Sequence, residues 1–480
     1  MPSTAALSPD PFALSQPDRA RLAHRVERAV RRARRDGGEA LAAITVVLPG
    51  AVDPAAVAFA SRRPGEPCFV FEQPDRGGCA VAALGCLRDL QSEGVGRFAA
   101  VARAWRDLLA DAEIDPVDGP PGSGPVAVGG FAFAPRGSGS PHWSAFPPAS
   151  LQVAEVALQR RHGVTRLTVA VMARPDDDAG ELLARADRRL AELRQRPLPM
   201  IDPDPVEHAR VASAMPPEHY EAAVARAVER IRAGALDKIV LAREVAVHAP
   251  SPHDVPAIHG ILRDAFPGCF VFAVQRGDAS FIAASPELLL RRDGLRASTL
   301  ALAGSTRRSA DPAVDGHLGE QLLRSDKDRA EQAIVTRRIE RALRPHAVWV
   351  TSAPEPVIAR MANIQHLATP IRAQLRAPRS AVELAGLLHP TPAVGGEPFA
   401  VAEPLIPALE GLDRGWYAGP VGWTDASEDG EFCVALRSAL LERGVARCYA
   451  GVGVVADSDP EAELAETEVK LQALLPVLSV

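Results

Sequence analysis

Lysine is almost absent from this chain: of its 54 basic residues only Lys238, Lys327 and Lys470 are lysines. Arginine keeps its charge under any accessible condition, whereas a desolvated lysine can lose its proton and act as a base. A lysine retained against such a bias therefore invites a chemical reading. Excess positive charge is missing as well. The formal net charge is −6, which leaves no basic field for nucleic acid or an anionic membrane surface, and neither is expected as a partner. The six cysteines include no CxxC pair and no Cys/His spacing that suits zinc, so they read as reduced, mostly buried thiols. No run reaches 18 apolar residues, and the first 35 residues hold no apolar segment of signal-peptide length. A cytoplasmic location is the expectation. No repeat of 20 to 50 residues and no low-complexity tail is visible.

What is present is enough apolar material for a large core. The chain has 480 residues and is 47% hydrophobic, a length compatible with several domains or one big one. The first part reads as a helix over 17–36, then strand-like runs "ALAAITVVLP", "PCFVFEQP" and "VAVGGFAFAP". Pro/Gly/Ser clusters at 115–125 and 136–149 read as loops. A strand, "LTVAVMARPDD", precedes a helix, "AGELLARADRRLAELRQR", and "PLPMIDPDP" is a linker candidate. Beyond 215 a helix ends near Gly234 and leads into a β-run on which Lys238 shares a face with Val240 and Ala242. "CFVFAVQRGDASFIAASPELLLRR" reads as a two-stranded hairpin interrupted at 285–287 by a proline that cannot donate to the ladder. Later strands are expected in "GWYAGPVGW", "EFCVALRSALLE" and "ARCYAGVGVV". Hairpins interleaved with helices point to an α+β fold.

Two helices carry carboxylates at i,i+3. "SDKDRAEQAIVTRRIERAL" presents Asp328 and Glu331 behind a Ser325 cap, and "ELAETEVKL" presents Glu463 and Glu466. Facing helices of this kind could hold a hard cation such as Mg²⁺, which takes one or two protein carboxylates and completes its shell with water and an anionic substrate. Simpler readings compete: a helix N-terminus stabilises Asp328 without metal, and Glu466 with Lys470 is an ordinary i,i+4 pair. Lys238 on an apolar strand would be driven toward its neutral form and Glu287 in a poorly solvated turn toward its protonated form, a base and an acid. Periodicity alone does not bring those two together.

The motifs "DKIVLARE", "SPELLLRR", "ALAGSTRR", "SDKDRAEQAIV", "IQHLATPI", "LLHPTPAVGGEP", "GPVGW", "VALRSALL", "YAGVGVV" and "ELAETEVKL" occur in that order across 237–471. Together they resemble the chorismate-utilising enzymes, specifically the isochorismate synthases, and "FVFEQP" and "GGFAFAP" extend the likeness toward the N-terminus. All three lysines fall inside these motifs. The resemblance implies one large α+β domain of two packed antiparallel sheets with flanking helices and a cleft between lobes. Residues 1–205 would supply the N-terminal part and 206–480 the chorismate-binding catalytic region. It implies Lys238 as the base that activates water and Glu287 as the general acid. Mg²⁺ would be held by Glu331 and Glu466, with Asp328 and Glu463 behind them. Lys470 would contact a substrate carboxylate and Arg437 the pyruvyl carboxylate, with Gly304, Ser305, Tyr417, Gly451 and Gly453 lining the substrate. His366 and His389 would lie near the ring, a structural role for either staying open.

The same resemblance separates this chain from aminating relatives, which carry an "SGAPK"-like segment where "VGGEPFA" stands here; no glutamine amidotransferase subunit is expected, and a monomer is. Salicylate synthases share the base, acid and metal ligands, and a chorismate-binding regulator without activity is a reading of another class. Which pathway consumes the product, siderophore or menaquinone synthesis, is left open by the residues.

Overall fold

The computed structural model describes residues 10–116, 118–201 and 208–479. Of the linker candidate at 197–205, the part over 202–205 lies outside these residues, and 197–201 is irregular. Two sheets dominate, one of 13 strands and one of 10, and both draw strands from either side of that linker. In the larger, Cys68–Gln73 pairs with Phe270–Arg276, which continues through Ala279–Ser285 and Ser438–Glu442 to Val445–Val454 and Lys238–His248. In the smaller, Val126–Phe131 pairs with Pro420–Asp425, followed by Gly430–Val434, Leu288–Asp293, Arg296–Arg307 and Ile364–Leu375. Apart from the short parallel pairing of Ala40–Val47 with Glu113–Ile114, the ladders are antiparallel.

Side-chain alternation explains why the sheets stack. On Cys68–Gln73, Phe69 and Phe71 point into the core between the sheets while Cys68 and Val70 point to a second core on the opposite face. Phe270–Arg276 repeats the pattern, with Phe270, Phe272 and Val274 inward and Val271 and Ala273 toward a third core. The outer cores are closed by amphipathic helices. Gln16–Asp36 covers one, buries Leu22, Val26 and Val30, and stops at Gly37, whose φ of 67° is left-handed. Val255–Ala265 covers the other. The larger sheet is thus a middle layer, buried on both faces. No helix among the described residues is long and apolar enough to cross a membrane.

Two expectations change in this architecture. The run read as one interrupted hairpin is three strands: Phe270–Arg276 and Ala279–Ser285 belong to the larger sheet and Leu288–Asp293 to the smaller. Pro286 and Glu287 are where the chain crosses between them. "EFCVALRSALLE", read as one strand, crosses back: Gly430–Val434 lies in the smaller sheet and Ser438–Glu442 in the larger. The break is made by Arg437, which adopts a φ of 48°, a conformation that costs a non-glycine residue on the order of 1–3 kcal/mol and persists only where its surroundings impose it. The two crossings are stitched side by side. Val434 N–H donates to Glu287 O at 3.0 Å, and the Ser285 hydroxyl donates to Val434 O at 2.5 Å.

Candidate active site

The crossings floor a cavity that opens to solvent. Most of its walls come from the strands Arg296–Arg307 and Val445–Val454 and the helices Asp326–Leu343 and Pro460–Leu471, with Val240, His366, Ala393 and Tyr417 added from neighbouring segments. The first of these helices begins at the Ser325 cap that the sequence signals, and both are capped by a side chain. The Ser325 hydroxyl accepts the Asp328 amide at 3.3 Å, and the Asp459 carboxylate accepts the Ala462 amide at 2.9 Å. Every residue singled out from the sequence lines the cavity except Lys238 and His389.

Glycines make the room. At Gly304 the strand bulges, the register against Ile364–Leu375 shifting between Ala303 and Ser305, with φ at 68°. The bulge aims Ser305 Oγ at Glu466 Oε1, 2.7 Å away, and turns Gly304 O toward His366 Nδ1 at 3.1 Å. Gly453 has no need of a special φ. It is glycine because a Cβ there would press into the Glu331 carboxylate and the end of the Lys238 side chain. A Cβ at Gly451 would meet the Tyr417 hydroxyl. The end of Lys238 therefore lies on the face of Gly453 that a side chain would occupy, beside the Glu331 carboxylate, and the residue is fully buried. The segment 395–398 shields it, since Asp237 N–H donates to Glu397 O and Val240 N–H to Gly395 O, both at 2.8 Å.

Each of the three lysines faces one of the predicted metal carboxylates. Lys238 Nζ is 2.7 Å from Glu331 Oε1, Lys327 Nζ 3.1 Å from Glu463 Oε1, and Lys470 Nζ 2.8 Å from Glu466 Oε1. Lys238 is an ion partner by distance but is not aligned to donate a hydrogen bond. Burial pushes Glu463 and Asp328 above the usual carboxylate range. Burial also acts to raise Glu466, but Lys470 and the Ser305 hydroxyl outweigh it and hold that carboxylate below its ordinary value. With ammonium groups on Glu331, Glu463 and Glu466, no three acid or imidazole groups among the described residues converge on one ion position. The donor set still fits Mg²⁺: these are hard oxygen donors in one cavity, neutralised by ammonium heads on flexible stems rather than locked by arginine forks, and two carboxylates suffice for that ion.

Opposite the acids stand Arg437 and His366. Arg437 is buried at 6% exposure, has no carboxylate partner among the described residues, and leaves Nη1 without a hydrogen bond. A buried guanidinium of this kind calls for an anion from outside the chain. Its Nη2 lies 2.6 Å from His366 Nε2. A guanidinium can only donate, so Nε2 is the acceptor and Nδ1 carries the proton given to Gly304 O. Burial, then Arg437 and Lys470, push His366 well below its usual pKa, consistent with that neutral tautomer. Arg437→Ala should raise KM about 10- to 100-fold, the loss of a charge-assisted hydrogen bond, with a smaller change in kcat; initial-rate kinetics read both.

Glu287 completes the site. It is 2% exposed, and no protein hydrogen bond among the described residues reaches its carboxyl oxygens. Burial raises its pKa to about 8 against the pull of Lys238 and Lys470. His389 does not belong here. Its Nε2 bonds Phe133 O at 3.1 Å, it packs against the Phe98 and Phe133 rings, and burial lowers it to about 3. Of the two histidines, only His366 lines the cavity. Sequence reasoning noticed Lys327, which lines the cavity, but gave it no role, and passed over the buried Glu410–Arg414 pair. Arg414 donates to Val240 O at 3.0 Å and Glu410 accepts the Ala242 amide at 2.7 Å, which fixes the strand that carries Lys238. The scarcity of lysine was a signal for Lys327; nothing in the local pattern marks the pair.

A cavity lined by paired carboxylates, with a buried acid and an unpaired arginine where two sheets exchange strands, places the protein in a class: the chain belongs to the chorismate binding enzyme family, whose description matches residues 28–479. Among its relatives, the salicylate biosynthesis isochorismate synthase of Pseudomonas aeruginosa is 41% identical over 414 residues, covering 86% of this chain and 85% of that protein. The isochorismate synthase MenF of Bacillus subtilis is 34% identical over 74% of this chain and 75% of its own. The solved structure of the menaquinone-specific isochorismate synthase MenF of Escherichia coli superposes with a TM-score of 0.76 at 26% identity, covering 96% of this chain and all of that one.

Proposed function

We propose that this protein is an isochorismate synthase, which converts chorismate to isochorismate by adding water at ring C2 and expelling the C4 hydroxyl. The observation that carries the reading is the pairing of opposite proton carriers at one cavity: Glu287, whose carboxyl keeps its proton up to about pH 8, and the buried amine of Lys238 within Coulombic reach of it. Lys238 serves as the base that takes a proton from water as the oxygen attacks C2. Glu287 delivers its proton to the C4 oxygen as that bond breaks, and a water leaves. One water enters and one departs, so substrate and product are isomers and the two groups exchange roles in the reverse direction.

The remaining residues orient the substrate. Arg437, with its free Nη1, donates to the pyruvyl carboxylate in a two-pronged contact, while Lys470 and Tyr417 border the ring. Mg²⁺ would be held by Glu331 and Glu466, with Asp328 and Glu463 behind them, and when bound would neutralise the ring carboxylate. Because the nucleophile is water, no ammonia-delivering subunit is required.

The test is incubation of the purified protein with chorismate and Mg²⁺, with and without EDTA, followed by chromatography with mass detection. The expected product has unchanged mass and a new retention time, and it disappears with EDTA. Salicylate with pyruvate would replace this reading by a salicylate synthase, and retained chorismate binding without turnover would replace it by a regulator.

A further inference from the structure

Lys238 and Lys470 have assigned parts in the proposed reaction; Lys327 has none. It sits one residue from Asp328 on the helix Asp326–Leu343 and reaches across to Glu463 on the helix Pro460–Leu471, Nζ to Oε1 at 3.1 Å. It is the bridge between the two acid-bearing helices. Its charge is felt by all four acids, Asp328, Glu331, Glu463 and Glu466. Unlike Lys238, it is not enclosed: its side chain is 39% exposed, so the ammonium can leave the cavity for water without breaking the core.

We propose that Lys327 is a built-in counter-cation that competes with the divalent ion for the carboxylate cluster, and so sets the cation affinity of the site. The inference rests on the Mg²⁺ reading above. Four carboxylates facing one cavity repel one another in the metal-free protein, and a tethered ammonium at Glu463 relieves that repulsion. A divalent ion entering the same field must overcome the lysine's positive charge. The exchange is favourable only because the ammonium can swing to solvent and keep its hydration there. Binding is thereby made weaker and more readily reversible than four bare carboxylates would make it.

Two roles for Lys327 predict opposite signs. If it competes, removing its charge strengthens divalent binding. If it only ties the helices together, removing it loosens the acids and weakens binding. The measurement is Mn²⁺ titration of the substrate-free protein, followed by the electron paramagnetic resonance signal of free Mn²⁺, which needs no turnover. Lys327→Met and Lys327→Gln should bind Mn²⁺ about tenfold tighter or more, and Lys327→Arg, which keeps the charge, should stay at the wild-type affinity. Agreement between the two neutral variants separates the charge effect from a packing defect in one of them. Unchanged or weaker affinity in Lys327→Met and Lys327→Gln overturns the proposal while leaving the metal reading intact. A wild-type protein that takes up no Mn²⁺ overturns both.

Discussion

Lys238→Ala is expected to abolish turnover, lowering kcat by roughly 10³-fold or more, the range set by loss of a positioned general base. Chorismate binding should persist, because Arg437, Lys470 and the lining glycines are untouched and Lys238 is not itself among the lining residues. The variant leaves Glu331 without its 2.7 Å partner, and a carboxylate robbed of a buried counter-charge destabilises the fold. Thermal melting should therefore drop in the metal-free protein and recover in part with Mg²⁺, which engages the same carboxylate. Single-turnover kinetics and calorimetric chorismate titration separate these effects. A Lys238→Ala enzyme within tenfold of the wild-type rate would remove Lys238 from the mechanism.

Glu287→Gln should lower kcat by about 10²- to 10⁴-fold, since the amide fills the same space and cannot protonate a leaving hydroxyl. Its pH behaviour is distinctive. With the carboxyl raised to about 8 by burial, the acid form prevails at neutral pH, and kcat/KM for chorismate should hold below about pH 8 and fall above it. The linked effect on stability has a definite sign. Between the ordinary glutamate value of 4.5 and about 8 the folded protein binds more protons at this site than the unfolded chain does, so this residue's contribution to stability declines as pH rises through that window. Glutamine removes the decline. The variant should melt no lower than wild type at pH 8 to 9 while being nearly inactive, and a variant that melts well below wild type there would show that the carboxyl is needed ionised.

The parts of this protein that were legible in its sequence are those governed by local rules. The helices Gln16–Asp36 and Pro460–Leu471 announce themselves by cap and period, and strands such as Cys68–Gln73 by apolar β-branched or aromatic runs. Of the two crossings, the break at 285–287 was legible but not its change of sheet, and the second left no sign at all. Strands buried on both faces have no polar alternation, so "EFCVALRSALLE" reads as continuous although it changes sheets, and the φ of Arg437 leaves no mark in the residue's identity. Lys238 and Glu287 were recognisable as proton carriers by type, but only tertiary packing brings them to one cavity. His389 shows the converse error: it sits in a site motif, "LLHPTPAVGGEP", yet its ring is spent on Phe133 O. Lys327 was visible as one of three lysines, but its partner lies 136 positions away in the chain.

The paired crossings have a consequence for how this protein measures its substrate. Glu287 and Arg437 sit on neighbouring segments that each pass from one sheet to the other and are tied together through Val434 and Ser285. The distance from the proton donor to the carboxylate anchor is therefore a dimension of the sandwich itself, as the span of a caliper is set by its frame and not by its tips. In the proposed reaction a substrate would be gauged along that span, from the departing hydroxyl to the far carboxylate. Repacking Phe272 or Phe281, deep between the sheets, would reset the gauge, altering which ligands fit without touching any residue they contact.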